Sequence, residues 1–146
     1  TITGQTVIKT TELIANQYYS KVIGKEDDYN VYTDTDSVFY QAAPLVKSRN
    51  PELNEDSDEE MIPAILSAAK EVETHINKVY DTMAKRLFNI DSHKFDIKQE
   101  TIAKGGFWVS KKRYAQWIIN DNEVDCERFT CSCKSSNNIQ SITCFL

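Results

Sequence analysis

Residues 29–41, Tyr-Asn-Val-Tyr-Thr-Asp-Thr-Asp-Ser-Val-Phe-Tyr-Gln, set two carboxylates in the middle of an alternating run. Tyr29, Val31 and Thr33 lead in; Val38 and Tyr40 lead out. A period of two reads as a half-buried strand on each side. Asp34 and Asp36 have the polar, backbone-bonding chemistry of a turn. The run predicts a tight β-hairpin with both carboxylates at its tip. Two carboxylates side by side repel and raise each other's pKa, and a divalent cation removes that conflict. Magnesium suits such a pair, because it takes one or two carboxylates plus substrate phosphates. The plain alternative is a solvated turn. An EF-hand loop is excluded: counted from Asp34, its fifth, sixth and twelfth positions are Val38, Phe39 and Leu45, where a ligand, Gly and Glu are required.

Around this hairpin the period switches between helix and strand. Residues 3–23 predict a helix with Thr3 as N-cap, Val7, Ile8, Thr11, Ile14 and Tyr18 on one face, and Gly24 as its stop. Residues 41–58 read as a loop punctuated by Pro44 and Pro51. Residues 59–89 predict a long helix, with an apolar stripe from Ile62 through Ile65, Leu66, Ala69, Val72, Ile76, Val79, Tyr80 and Met83 to Leu87. Glu59 and Glu60 suit its first turn, and Lys85 and Arg86 its last. His75 reads as a surface histidine, since no second ligand stands at helical spacing. Residues 93–101 return to strand alternation. Gly105 and Gly106 permit a bend, and residues 107–119 read as a strand pair or a bent strand. Long helix and hairpin together predict an α+β chain, with helices packed on an antiparallel sheet.

Charge is distributed unevenly. The net formal charge is −5, no nucleic-acid footprint by itself. Residues 52–60 hold six acids and no base, a solvated surface by default. Residues 101–120 hold Lys104, Lys111, Lys112 and Arg113 and no acid, a strip able to grip phosphates. No stretch approaches 18 apolar residues, which argues against a membrane span, and no signal peptide is visible. The four cysteines all follow residue 125, at a Cys-x4-Cys-x-Cys-x10-Cys spacing unlike a zinc knuckle. Residues 123–146 therefore read as a divergent, poorly ordered tail, and residues 1–122 as the body.

Two of these segments carry a resemblance. Tyr32-Thr33-Asp34-Thr35-Asp36-Ser37 resembles the Asp-Thr-Asp-Ser signature in the catalytic palm of family B DNA polymerases, with Thr33 where Gly is usual. Gly105-Gly106-Phe107-Trp108 followed by Lys111-Lys112-Arg113-Tyr114-Ala115 resembles that family's Lys-Lys-Arg-Tyr element, in the form nearest to the polymerases of large tailed phages. The two stand in the family's order, separated by the long helix. The resemblance covers residues 2–122 and implies the second half of a palm: an antiparallel sheet carrying the catalytic hairpin, packed against two helices. The first carboxylate motif, the lysine-bearing helix that grips the triphosphate, the fingers and the thumb have no counterpart.

What the resemblance implies is template-directed nucleotidyl transfer from a deoxynucleoside triphosphate to a primer 3′-hydroxyl, assisted by two magnesium ions. Asp36 would be the ligand shared by both ions and Asp34 the secondary carboxylate. Thr35 and Ser37 would hold the turn, and Glu100 would serve as a peripheral carboxylate. Lys111, Lys112, Arg113 and Tyr114 would contact primer-template DNA. If that stretch is a strand, Lys112 points away from Lys111 and Arg113 and is the one to face the minor groove. The isolated chain is expected to be inactive without the first palm half, fingers and thumb. Its place would be a phage-infected host's cytoplasm, or otherwise the cell interior. A non-enzymatic DNA-binding or processivity module would need only the basic strip; an acidic structural domain would need neither motif.

Overall fold

The structure, a computed structural model, describes residues 2–132 and 140–145. Its elements are α1 (Ile2–Ile23), β1 (Asn30–Thr33), β2 (Ser37–Gln41), α2 (Ala43–Arg49), α3 (Asp58–Phe88), β3 (Ile97–Ser110), β4 (Arg113–Asp121), β5 (Val124–Ser132) and β6 (Gln140–Phe145).

The α+β class, the antiparallel hairpins and the long helix follow the sequence expectation. α1 already includes Thr3, expected as its cap. The hydroxyls of Thr10 and Thr11 turn back onto the carbonyls of Thr6 and Val7, each at 2.8 Å, and so remain compatible with the helix. Gly24 closes the helix at φ 79°, its N–H on the Ser20 carbonyl at 2.9 Å. α3 is one unbroken helix of 31 residues. It begins at Asp58, so the exposed Pro63 lies inside it, past the first turn. It ends at the left-handed Asn89, with the Ile90 N–H on the Ala84 carbonyl at 3.0 Å.

A third, short helix corrects the expected loop at residues 41–58. Pro44 falls in the first turn of α2, where its missing N–H removes no helical bond. Leu45 and Val46 then bury against the core. The acidic run after α2 is partly paired: Glu55 meets Lys47 at 2.6 Å and Asp58 meets Lys104 at 2.8 Å.

The sheet has six strands in the order β1-β2-β6-β3-β4-β5. One face is covered by the helices. Val7, Ile14 and Ala15 of α1, Met61, Ile65, Val72, Ile76 and Tyr80 of α3, and Val38, Tyr40, Ile97 and Ile102 of the strands share one core. Between helices α1 and α3, the Tyr80 hydroxyl meets that of Thr11. Asn77 clamps the start of β3: its side chain donates to the Ile97 carbonyl at 3.0 Å and accepts the Ile97 N–H at 2.9 Å. On the opposite face, Phe39 and Ala103 bury under Tyr32, Trp108 and Tyr114. β2 is therefore covered on both sides, Val38 and Tyr40 facing the helices and Phe39 the aromatic cluster.

β3 continues without a break through Gly105 and Gly106 to Ser110, with register shifts at Ala103 and between Ala103 and Gly105, the irregularities that bend a strand. The strand pair expected over residues 107–119 is the β3–β4 hairpin. Its turn is Lys111-Lys112, since Ser110 pairs with Arg113, and Lys112 is left-handed at φ 63°. The three basic residues thus do not alternate along a strand. Two of them form the turn itself, which corrects the facing inferred for Lys112.

The segment after residue 122, expected as a poorly ordered tail, supplies two strands. β5 pairs antiparallel with β4, and β6 lies parallel to both β2 and β3. Expectations touching residues 133–139 and 146, Cys133 among them, fall outside the described residues. Asn122 and Glu123 join β4 to β5 in a two-residue turn with both residues at positive φ, 51° and 65°, the twist hairpins favour. Asn tolerates that conformation; Glu does so at a cost of about 1 kcal/mol. Glu123→Gly is expected to raise the thermal midpoint by about 2–4 °C in a chain of this size, read by calorimetry. An unchanged or lower midpoint would show that the turn is not strained.

Candidate active site

The hairpin tip is built as the alternation predicts. Thr33 pairs with Val38, and the Asp34 N–H donates to the Ser37 carbonyl at 2.9 Å, which leaves Thr35 and Asp36 as the two residues at the turn. Asp34 is half-buried and committed locally: one of its oxygens accepts the Thr35 N–H at 2.7 Å and the Thr35 hydroxyl at 3.3 Å. Asp36, also half-buried, accepts the Ser37 hydroxyl at 3.2 Å. The Thr35 and Ser37 hydroxyls thus bond to the carboxylates, while the backbone closes the turn. Thr33 ties the hairpin down: its hydroxyl donates to the Glu12 carboxylate at 3.2 Å and accepts from Asn30 at 2.9 Å. Tyr40 adds a second tether, donating to the Glu12 carbonyl at 2.8 Å; burial pushes its phenol well above the ordinary tyrosine value.

The fold brings the second motif against this hairpin. The Lys112 backbone N–H donates to the Tyr32 hydroxyl at 2.9 Å. The Tyr32 ring lies 5.5 Å from Tyr114 and 6.3 Å from Trp108, and Tyr114 also lies 5.5 Å from Phe39. Eighty residues apart in sequence, the carboxylate tip and the basic turn are joined through one aromatic cluster. In the sequence Tyr32 and Trp108 stand out only as members of the two motifs. Tyr32 does more, holding the Lys111-Lys112 turn beside the hairpin that bears the aspartates. The signal in the sequence was the pair Tyr32 and Phe39, both on the face opposite the helix-covered one. Lys111, Lys112 and Arg113 are exposed and make no ion pair among the described residues. Tyr114 is half-buried in the cluster.

Asp34 and Asp36 suit a magnesium ion that draws its remaining ligands from water and phosphate. Among the described residues, no three His, Cys, Asp or Glu side chains converge as a metal site. Glu100 is accordingly not gathered into a set with them; its backbone carbonyl accepts the Asn122 N–H at 2.7 Å beside the β4–β5 turn. His75 is exposed and packs on Tyr18 at 4.9 Å. A shallow cavity of about 460 Å³ along the outer side of α3, lined by Ser67, Lys70, Glu71, Thr74, His75 and Lys78, contains none of the candidate residues. No helix of the described residues is long and apolar enough to cross a membrane.

No family model matches the chain. It is 27% identical over 121 residues to the DNA-directed DNA polymerase of Escherichia phage RB69, an alignment that takes in 77% of this chain and 13% of that polymerase. The chain is thus a distant homologue of a phage DNA polymerase, along a stretch that makes up 13% of that enzyme's length.

Proposed function

We propose that this chain is the second half of a family B polymerase palm, and that the polymerase containing it adds deoxynucleotides to a primer 3′-hydroxyl. The observation that carries the reading is the contact between Tyr32 and Lys112. It sets a two-carboxylate tip and an unpaired basic turn on one surface, as primer extension requires. The distant homology supports the same reading. Asp36, with fewer local bonds than Asp34, is the principal metal ligand, and Asp34 the secondary one. Two magnesium ions held there would supply neutralisation of the triphosphate and acidify the primer hydroxyl. Thr35 and Ser37 orient the carboxylates. The turn cations hold the primer-template near its growing end, and Tyr114 braces that turn through the cluster. The described residues provide two carboxylates and no third, so the isolated chain is inactive; the first palm half must bring the rest.

Lys112 is the residue for the groove, because its backbone is anchored beside the hairpin while its side chain is exposed. Minor-groove acceptors are present in every base pair, so a lysine there senses pair shape rather than sequence. In a polymerase carrying this segment, Lys112→Ala is expected to slow extension of a matched terminus about ten-fold and of a mismatched one far less. Lys111→Ala is expected to weaken DNA binding on all sequences and lower the salt slope by roughly one. Primer extension at two salt concentrations reads both. Equal effects of Lys112→Ala on matched and mismatched ends would reduce it to a phosphate contact, and no effect at any of the three basic positions would remove the turn from the DNA surface.

A further inference from the structure

The β3–β4 hairpin has two faces. Trp108 and Tyr114, which pair across it, face the catalytic hairpin; Phe107 and Ala115, the neighbouring pair, face the other way. That second face is open. Phe107 is 68% exposed, Trp117 42% and Phe129 72%. Trp117 pairs directly with Phe129 across β4 and β5, and with Gly105 across β3 and β4. Phe107 stands two residues from Gly105, a diagonal neighbour of Trp117 within reach of an aromatic ring. The three aromatic residues therefore occupy one face of three adjacent strands, and Gly105 sets no side chain against Trp117. Lys104, ion-paired with Asp58, stands over one face of the Trp117 ring at 6.0 Å and leaves its outer edge open, with the residue 42% exposed. The same hairpin ends in Lys111, Lys112 and Arg113, cations without an ion pair among the described residues.

We propose that this face is a stacking platform for the unpaired bases of a single-stranded nucleic acid. A strand whose phosphates follow the basic turn brings its bases over the sheet, where each ring offers a flat apolar surface. Stacking of this kind is tolerant of sequence, since every base has a π-face. Charge selects the occupant: an apolar protein segment gains nothing from the turn cations, and a duplex hides the faces of its bases. The surface lies on the opposite side of the hairpin from Asp34 and Asp36 and requires neither metal nor a primer end, so it goes beyond the polymerase reading and does not depend on it.

The test uses the whole chain, twelve-residue oligothymidylate and EDTA at low salt. The chain has two tryptophans, and Trp108→Phe leaves Trp117 as the sole reporter. Oligothymidylate is expected to quench its emission. Phe129→Ala and Phe107→Ala, both at well-exposed positions, are each expected to weaken binding about ten-fold with an unchanged far-ultraviolet circular dichroism spectrum. An inorganic polyphosphate of equal charge is expected to leave the emission unaltered. Absence of quenching, equal quenching by polyphosphate, or undiminished binding in both ring variants would overturn the platform. So would concentration-dependent self-association that the ring variants abolish while oligothymidylate has no effect, since the face would then belong to a second copy of the chain. Blunt duplex binding is measured in parallel: its loss with oligothymidylate binding intact counts against the primer-template reading and upholds the platform.

Discussion

Asp36→Asn, placed in a polymerase that carries this segment, is expected to reduce single-turnover nucleotide addition at least about a thousand-fold, roughly 4 kcal/mol in the barrier. The substitution keeps the shape of the side chain and an oxygen able to accept the Ser37 hydroxyl. What it removes is charge, at the turn position with fewer local bonds. Primer-template affinity is expected to change little, because on the reading proposed above the basic turn, and not the carboxylates, would hold the DNA. Asp34→Asn is expected to cost less in rate. One Asp34 oxygen already accepts the Thr35 N–H and hydroxyl, so part of its role is to shape the turn. A near-normal rate for Asp36→Asn would reject its assignment as principal metal ligand, and a larger loss at Asp34 would reverse the two roles.

Tyr80→Ala is expected to destabilise the fold by about 3–5 kcal/mol, the usual range for deleting a buried aromatic side chain. Tyr80 of α3 is fully buried; its ring meets Phe95 edge-on at 6.5 Å, and its hydroxyl meets that of Thr11 in α1. Truncation leaves a cavity, although Thr11 keeps its bond to the Val7 carbonyl. The thermal midpoint is expected to fall by about 10–15 °C. Tyr80→Phe keeps the ring and is expected to cost only about 1 kcal/mol. The hydroxyl also has a pH signature. Burial pushes its pKa up to about 12 from an ordinary 10.0. The folded state therefore disfavours the phenolate. The stability tied to neutral Tyr80 is complete below about pH 10 and is lost as pH rises towards 12. Denaturant melts across that window are expected to be less pH-dependent in Tyr80→Phe than in the parent chain. Equal slopes would mean that Tyr80 ionises as easily folded as unfolded.

Part of this molecule was legible because neighbouring residues decide it. The Asp34–Asp36 hairpin follows from alternation on both sides of a polar tip. α3 follows from its apolar stripe: Ile62, Ile65, Ala69, Val72, Ile76, Tyr80 and Met83 are buried, Leu66 and Val79 are half-buried against the same core, and Leu87, at the end, is 66% exposed. Gly24 ends α1 where only a residue at ease with positive φ fits well. α2 escaped notice because a proline reads as a breaker unless it falls in the first turn, and that depends on where the helix starts. The Lys111-Lys112 turn was hidden for a related reason: neither lysine advertises a turn, and the left-handed Lys112 is held by the Ser110–Arg113 pairing and by Tyr32. The β4–β5 turn likewise carried only Asn122 as a local cue.

Which residues could do chemistry is written in the side chains and their spacing, as a carboxylate pair, a basic cluster and an apolar period. Which of them meet is a property of the assembled sheet. Tyr32 reaches Lys112 because β3 and β4 bring Trp108 and Tyr114 over Phe39, and β6 comes to lie between β2 and β3 although it is last in the chain. No local propensity encodes either arrangement. Both depend on strand pairings across long sequence separations, whose loop-closure cost is met by packing formed only when the whole sheet assembles.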